Sequence, residues 1–208
     1  MSLTDRTLIL VAGLPGTGKT YLLDKITSRY PDLIHISLDD IKERSWDTHG
    51  FRNLKERYAL DDAALRTYLD SVDSQMKNGR GIISDYPFGA KQHARLERSC
   101  TSYHYRPLTI RLVADLDVLF TRQRERDLDP VRHPGHVFTR YEPGAPTPDR
   151  SLADNLPTRQ EFISRCTDRG YQSFSLGPTL PVVATDLTQV NYPGILDWLA
   201  AQLANDSD

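Results

Sequence analysis

Gly13-Leu14-Pro15-Gly16-Thr17-Gly18-Lys19-Thr20 decides how this chain is read. The apolar run Leu8-Ile9-Leu10-Val11-Ala12 precedes it, and a helix-forming segment, Tyr21 to Arg29, follows. Strand, glycine-rich loop and helix in that order are the context in which G-x-x-x-x-G-K-[ST] binds phosphate. Gly13, Gly16 and Gly18 allow a turn tight enough to aim successive N–H groups into one concavity, with Pro15 and Thr17 completing the loop. The helix that starts near Gly18 adds its positive dipole end at the same point. In such a loop Lys19 reaches the β- and γ-phosphates of a nucleotide, and the Thr20 hydroxyl ligates Mg²⁺.

The remainder of the chain limits what can surround that loop. Its 208 residues suit one α/β domain, and 38% hydrophobic with 26% charged residues is the composition of a globular protein. A net charge of −2 does not favour a nucleic-acid partner, although a local basic groove would suffice for one. Cys100 and Cys166 form no C-x-x-C pair and read as free thiols. No apolar run reaches membrane-spanning length and no signal-like segment precedes the first strand, so a cytoplasmic location is expected.

Outward from the loop, the pattern alternates strand and helix. Strands are predicted over 7–12, 33–37, 81–85, 107–113 and 181–185. Helices are predicted over 21–29, from Leu38, and over 60–76, 90–99, 116–126, 158–169 and 195–204, with a loop at 46–53. This alternation predicts a three-layer α/β/α fold of the P-loop nucleoside triphosphate hydrolase type with a mostly parallel sheet. Ligands in such sheets sit beyond the carboxyl ends of the strands, which brings the loop, Asp39 and Asp85 to one edge. Residues 127–157 carry Pro130, Pro134, Pro143, Pro146, Pro148 and Pro157, and read as an irregular excursion long enough to be a lid.

Four groups of residues could carry chemistry around the phosphates. Asp39 is the candidate general base that orients or deprotonates an acceptor hydroxyl; it or Asp40 could instead serve only as a helix cap. Lys42, one turn on, could neutralise an acceptor phosphate or face solvent. Asp85 ends an apolar strand, where a carboxylate can hold Mg²⁺ directly or through water, or contact the acceptor. Arg122 and Arg126 share a helix face at i and i+4 and could meet phosphate oxygens together, with Arg132 just beyond and Arg124 off their face. In His133-Pro134-Gly135-His136 the Pro and Gly argue against a helical metal site. Contact with phosphate or substrate by a closing loop fits better.

Together the P-loop, Ile36-Ser37-Leu38-Asp39-Asp40-Ile41-Lys42, Gly81-Ile82-Ile83-Ser84-Asp85 and the Arg122–Arg126 helix resemble the small P-loop kinases grouped with AAA-family ATPases, among them the kinase domain of phage polynucleotide kinase. The likeness covers about the first 135 residues. It implies ATP as donor, Asp39 as general base, Asp85 near acceptor or metal, and Arg122 or Arg126 on the transferring phosphate. Lys42 stands where that family has an arginine, which removes a bidentate phosphate contact. The chain is also short for an ATPase core with an oligomerisation domain, so ring assembly is not expected.

The expectation is therefore an ATP- and Mg²⁺-dependent kinase, with Lys19, Asp39, Arg122 and Arg126 catalytic, acting on a hydroxyl of a small-molecule or nucleotide-like acceptor. A polynucleotide 5′-hydroxyl kinase and an ATP-hydrolysing switch are the alternatives.

Overall fold

The computed structural model describes residues 4–204. Five strands form one wholly parallel sheet: β1 (Thr7–Gly13), β2 (Ile34–His35), β3 (Ile82–Tyr86), β4 (Arg106–Val113) and β5 (Thr179–Val183), in the spatial order β2-β3-β1-β4-β5. The chain reverses its direction of winding on either side of β1, which makes the C-terminal end of β1 the topological switch point.

The run 8–12 is continuously apolar because both faces of β1 are covered, and all five side chains are fully buried. Leu8, Leu10 and Ala12 face a cluster with Tyr68, Val72 and Met76 of α3 (Leu54–Lys77) and Leu96 of α4 (Ala90–Tyr103). Ile9 and Val11 face the opposite cluster. There Leu22 and Ile26 of α1 (Lys19–Arg29) meet Ile195, Leu199 and Leu203 of α7 (Tyr192–Ala204). Alternation along the strand thus sends successive residues into two separate cores.

A buried polar chain sets the height of β3 against its neighbours. The Tyr68 hydroxyl donates to Ser84 Oγ at 2.9 Å, and Ser84 Oγ donates to the Ile36 carbonyl at 2.7 Å. Each bond contributes about 1 kcal/mol net, and the buried hydroxyls would cost more if left unmatched. The pair fixes the residue next to Asp85, so the site carboxylate stands on a rigid strand end.

Most element ends differ from expectation by a few residues, and two departures are larger. The predicted loop at 46–53 is halved: α2 runs Leu38–His49 and α3 begins at Leu54, so only 50–53 stay outside a helix. Asn53 caps α3 by accepting from the Glu56 amide at 3.0 Å, and Glu56 in turn accepts from the Arg52 amide and guanidinium. Apolar periodicity misses this first turn, which packs through its cap and one ion pair. The excursion after α5 (Leu116–Leu128) contains two short 3-10 turns, Pro134–His136 and Arg150–Leu152, before α6 (Arg159–Asp168).

Candidate active site

The P-loop leaves β1 and enters α1 through residues that only glycine accommodates easily. Gly13 has φ 152°, and a Cβ there would lie 2.7 Å from the Leu112 carbonyl oxygen; Gly18, at φ 84°, is the residue from which α1 starts. Thr17 Oγ1 donates to the Leu14 carbonyl at 2.8 Å and holds the loop from within. No side chain caps α1, whereas Ser37, Asn53, Asp115 and Thr158 cap α2, α3, α5 and α6. The first amides of α1 therefore point into open space that an anion can fill, and the loop fits a nucleotide's phosphates.

That space is a cleft of about 460 Å³. Pro15, Gly16, Gly18, Lys19 and Thr20 form its floor, and Asp39, Lys42 and Asp85 its sheet-edge wall. Lys19 Nζ donates to the Leu14 carbonyl at 3.0 Å. Burial lowers its pKa to about 8, although Asp85 and Asp39 pull it the other way. Thr20 is exposed at the cleft, with Asp85 in the facing wall; this hydroxyl and carboxylate are oxygen donors of the kind that would suit a hard divalent cation.

Helix α2 settles which of its two aspartates meets the cleft. Ser37 is the N-cap, accepting from the Asp40 amide at 3.1 Å, so neither aspartate is needed as the cap. Asp39 lines the cleft, and Asp40 faces outward. Burial would raise the Asp39 pKa, but the cations of Lys42, Arg132 and Arg126 outweigh it and hold the carboxyl below its ordinary value. Lys42 Nζ stands 3.8 Å from Asp39 Oδ1 and donates to the Tyr86 hydroxyl at 2.7 Å. Lys42 thus faces the site, and Tyr86 holds it there; Tyr86 lies one residue past Asp85 and carries no sequence signal of its own.

Asp85 has a partner that sequence spacing does not reveal. His35 Nε2 lies 3.0 Å from Asp85 Oδ1, because β2 pairs with β3 and places His35 beside Ile83. Hydrogen bonding to Asp85 raises the His35 pKa, against the effect of burial.

The arginines divide. Arg126 and Arg132 line the cleft, but Arg122 does not. Its guanidinium donates to the carbonyls of Ala184 at 2.9 Å, Thr185 at 2.7 Å and Gly16 at 3.4 Å. Arg122 and Arg126 do share a helix face, but Arg122 sits one turn nearer the sheet, where main-chain carbonyls just past β5 are free to accept. In this arrangement it ties the P-loop to the end of β5, and the expected pairing with Arg126 over the phosphates is not formed.

The excursion at 127–157 packs down as a roof over α2. His136 Nε2 lies 2.7 Å from Glu43 Oε1, His133 Nε2 lies 3.0 Å from Asp47 Oδ1, and the Tyr141 hydroxyl donates to Asp47 at 2.6 Å. Arg57 donates to the Gly135 carbonyl, and Phe51 and Tyr141 form an isolated antiparallel bridge. Trp46, 2% exposed, lies beneath. Burial lowers the His136 pKa to about 4, so this ring is neutral at ordinary pH. Among the described residues no group of three or more histidine, cysteine, aspartate and glutamate side chains is placed to hold a metal ion. No helix among the described residues is long and apolar enough to cross a membrane.

The sheet order, the P-loop at its switch point and the carboxylates facing it define a P-loop fold of the kinase type. A family profile described as "AAA domain" matches residues 8–143, and the chain belongs to that family. Two solved structures share the fold over essentially their whole length. One, described as a "putative kinase" from Chloroflexus aurantiacus J-10-fl, is 22% identical, with 99% of this chain and 100% of that chain covered and a TM-score of 0.71. The other, a gluconokinase from Sinorhizobium meliloti 1021, is 12% identical, with 100% of both chains covered and a TM-score of 0.57. No curated protein sequence matches the chain.

Proposed function

We propose that the protein is an ATP- and Mg²⁺-dependent phosphotransferase whose acceptor is a hydroxyl of a small or nucleotide-like molecule. One observation carries the reading: Asp39, kept ionised by Lys42, Arg132 and Arg126, faces the same cleft as the P-loop and Lys19.

Phosphoryl transfer asks a protein mainly for positioning and for charge placed where charge develops. The α1 amides and Lys19 hold the donor's β- and γ-phosphates, and Arg126 approaches from the end of α5 and Arg132 from the roof. Thr20, with Asp85 opposite, would hold Mg²⁺, which when bound would neutralise charge on the donor's phosphates. Asp39 accepts the hydrogen bond of the acceptor hydroxyl and takes its proton as the new P–O bond forms and the bond from the γ-phosphorus to the β,γ-bridging oxygen breaks, with ADP as the leaving group. Lys42, fixed by Tyr86, keeps that carboxylate oriented.

The test is transfer of labelled γ-phosphate from ATP to a panel of nucleosides, sugars and amino alcohols. Asp39→Asn should reduce transfer by about 10²-fold or more, the usual contribution of a positioned general base. Its affinity for ATP should stay within about twofold, since the substitution leaves the P-loop untouched. Undiminished transfer by Asp39→Asn would remove the base from the mechanism.

A further inference from the structure

The cleft does not close beyond Asp39. Lys42, Tyr58, Asp61, Tyr86, Arg169 and Tyr171 form a collar that lines both the cleft and a second cavity of about 1040 Å³. This second space lies between the first half of α3, the start of α4 and the segment 168–175. It is the larger of the two and stands on the side away from the P-loop.

We infer that the second cavity holds the acceptor, and that the acceptor is an uncharged, polyhydroxylated molecule of at least two rings, of the nucleoside or disaccharide kind. The inference rests on the phosphotransferase reading only for the hydroxyl's approach to Asp39. The binding site itself stands on the cavity.

Size is the first argument. Pockets for drug-sized ligands run from about 300 to 1,000 Å³, so this one exceeds what an open-chain polyol or a single sugar ring would fill. The second argument is the wall. The Tyr58 ring is 54% exposed, and the phenol oxygens of Tyr86 and Tyr171 accept hydrogen bonds from Lys42 at 2.7 Å and Arg169 at 3.0 Å. With their oxygens held, these rings offer fixed faces to a flat base or to the C–H face of a sugar. The wall is close-built: a Cβ on Gly89 would lie 2.7 Å from the Arg169 carbonyl oxygen and 3.3 Å from the Tyr171 ring, so the segment 168–175 seats against α4 only because that residue is glycine.

Charge supplies the third argument. Around the cavity Asp61, Asp62 and Asp168 stand against Lys42, Lys91 and Arg169, an even balance. His93 does not tip it, since its ring already bonds the Ser175 carbonyl at 2.9 Å. A polyanionic tail would need a surplus of cations here. Ligand hydroxyls can donate to the carboxylates and accept from the cations without burying net charge.

Ala90 and Ala94 are exposed, lie one helical turn apart on α4 and both face this cavity, so a large side chain at either fills it without disturbing a core. The experiment is saturation-transfer NMR with a non-hydrolysable ATP analogue saturating the P-loop. The probes are maltose and cytidine as two-ring molecules, with glycerol and gluconate as controls; melting curves verify the fold of each variant. The wild type should bind one two-ring probe in preference to both controls, and which of the two binds separates a glycoside from a nucleoside site. Ala94→Trp should weaken that binding about tenfold or more by steric exclusion, and Ala90→Trp provides the same measurement if Ala94→Trp does not fold. Failure of both two-ring probes to bind overturns the inference, as does equal binding by a folded tryptophan variant or equal preference for the open-chain controls. Loss of the phosphotransferase reading would show separately, as intact ATP binding with no label transfer, and would leave the NMR result standing.

Discussion

Lys19 should make nucleotide binding depend on pH in a range where most lysines are silent. Its pKa falls to about 8 from an ordinary 10.5 because burial opposes the charge. Arriving phosphates favour the ammonium form, so the bound state keeps the proton and the free protein gives it up. With a free-state pKa of about 8, roughly nine-tenths of Lys19 is charged at about pH 7 and roughly one-tenth at about pH 9. The apparent affinity for an ATP analogue should therefore fall about tenfold between those two conditions, while the triphosphate, titrating near pH 6, keeps its own charge. Isothermal titration in two buffers of different ionisation enthalpy reads both the affinity and the proton taken up. Lys19→Arg, whose guanidinium does not titrate in this range, should show neither effect. A flat wild-type affinity, or an equal fall in Lys19→Arg, would refute the burial argument. The same shift has a counterpart in stability. The unfolded chain holds this proton more tightly than the native one, so from about pH 8 up to 10.5 Lys19 adds stability as pH rises.

Two further substitutions test the framework of the site. Arg122→Ala removes the bonds to the Ala184 and Thr185 carbonyls and should cost about 1–3 kcal/mol, seen as a lower Tm. An unchanged Tm with collapsed turnover would instead return Arg122 to the phosphates. Gly135→Ala sets a Cβ 2.5 Å from Trp46 Cε3, an overpacking that costs about 1–3 kcal/mol and should lift the 127–157 roof. Limited proteolysis within that segment should accelerate; unchanged cleavage together with an unchanged Tm would contradict the packing.

The parts of the site written in consecutive residues were legible from the start. The P-loop is a local backbone device whose glycines, lysine and threonine act within eight positions, so Gly13 to Thr20 can be read as a unit. The apolar run 8–12 announces a strand buried on both faces, and the alternation of strands and helices announces the layers. Asp39 and Asp85 were reachable because the ends of parallel strands must meet at one edge, and Arg126 because it shares a helix face with Arg122. Tyr86, Asp61, Arg169 and Tyr171 were not, since they come from three separate segments and gain a role only where those segments pack.

Sequence by itself determined that phosphates have a place at the end of β1, because φ-permissive glycines and an uncapped helix start are local properties of the chain. Tertiary structure decided the rest. Between two neighbouring aspartates it turned Asp39 inward once Ser37 had taken the cap. Of two arginines on one helix face it gave Arg122 to main-chain carbonyls beyond β5 and left Arg126 to the cleft. It also brought His35 to Asp85, and Lys42 to Tyr86, across strand and helix packing that no spacing in the sequence records. Each of these choices depends on which donors and acceptors lie within about 3 Å, and residues far apart in the chain meet at that range only after folding.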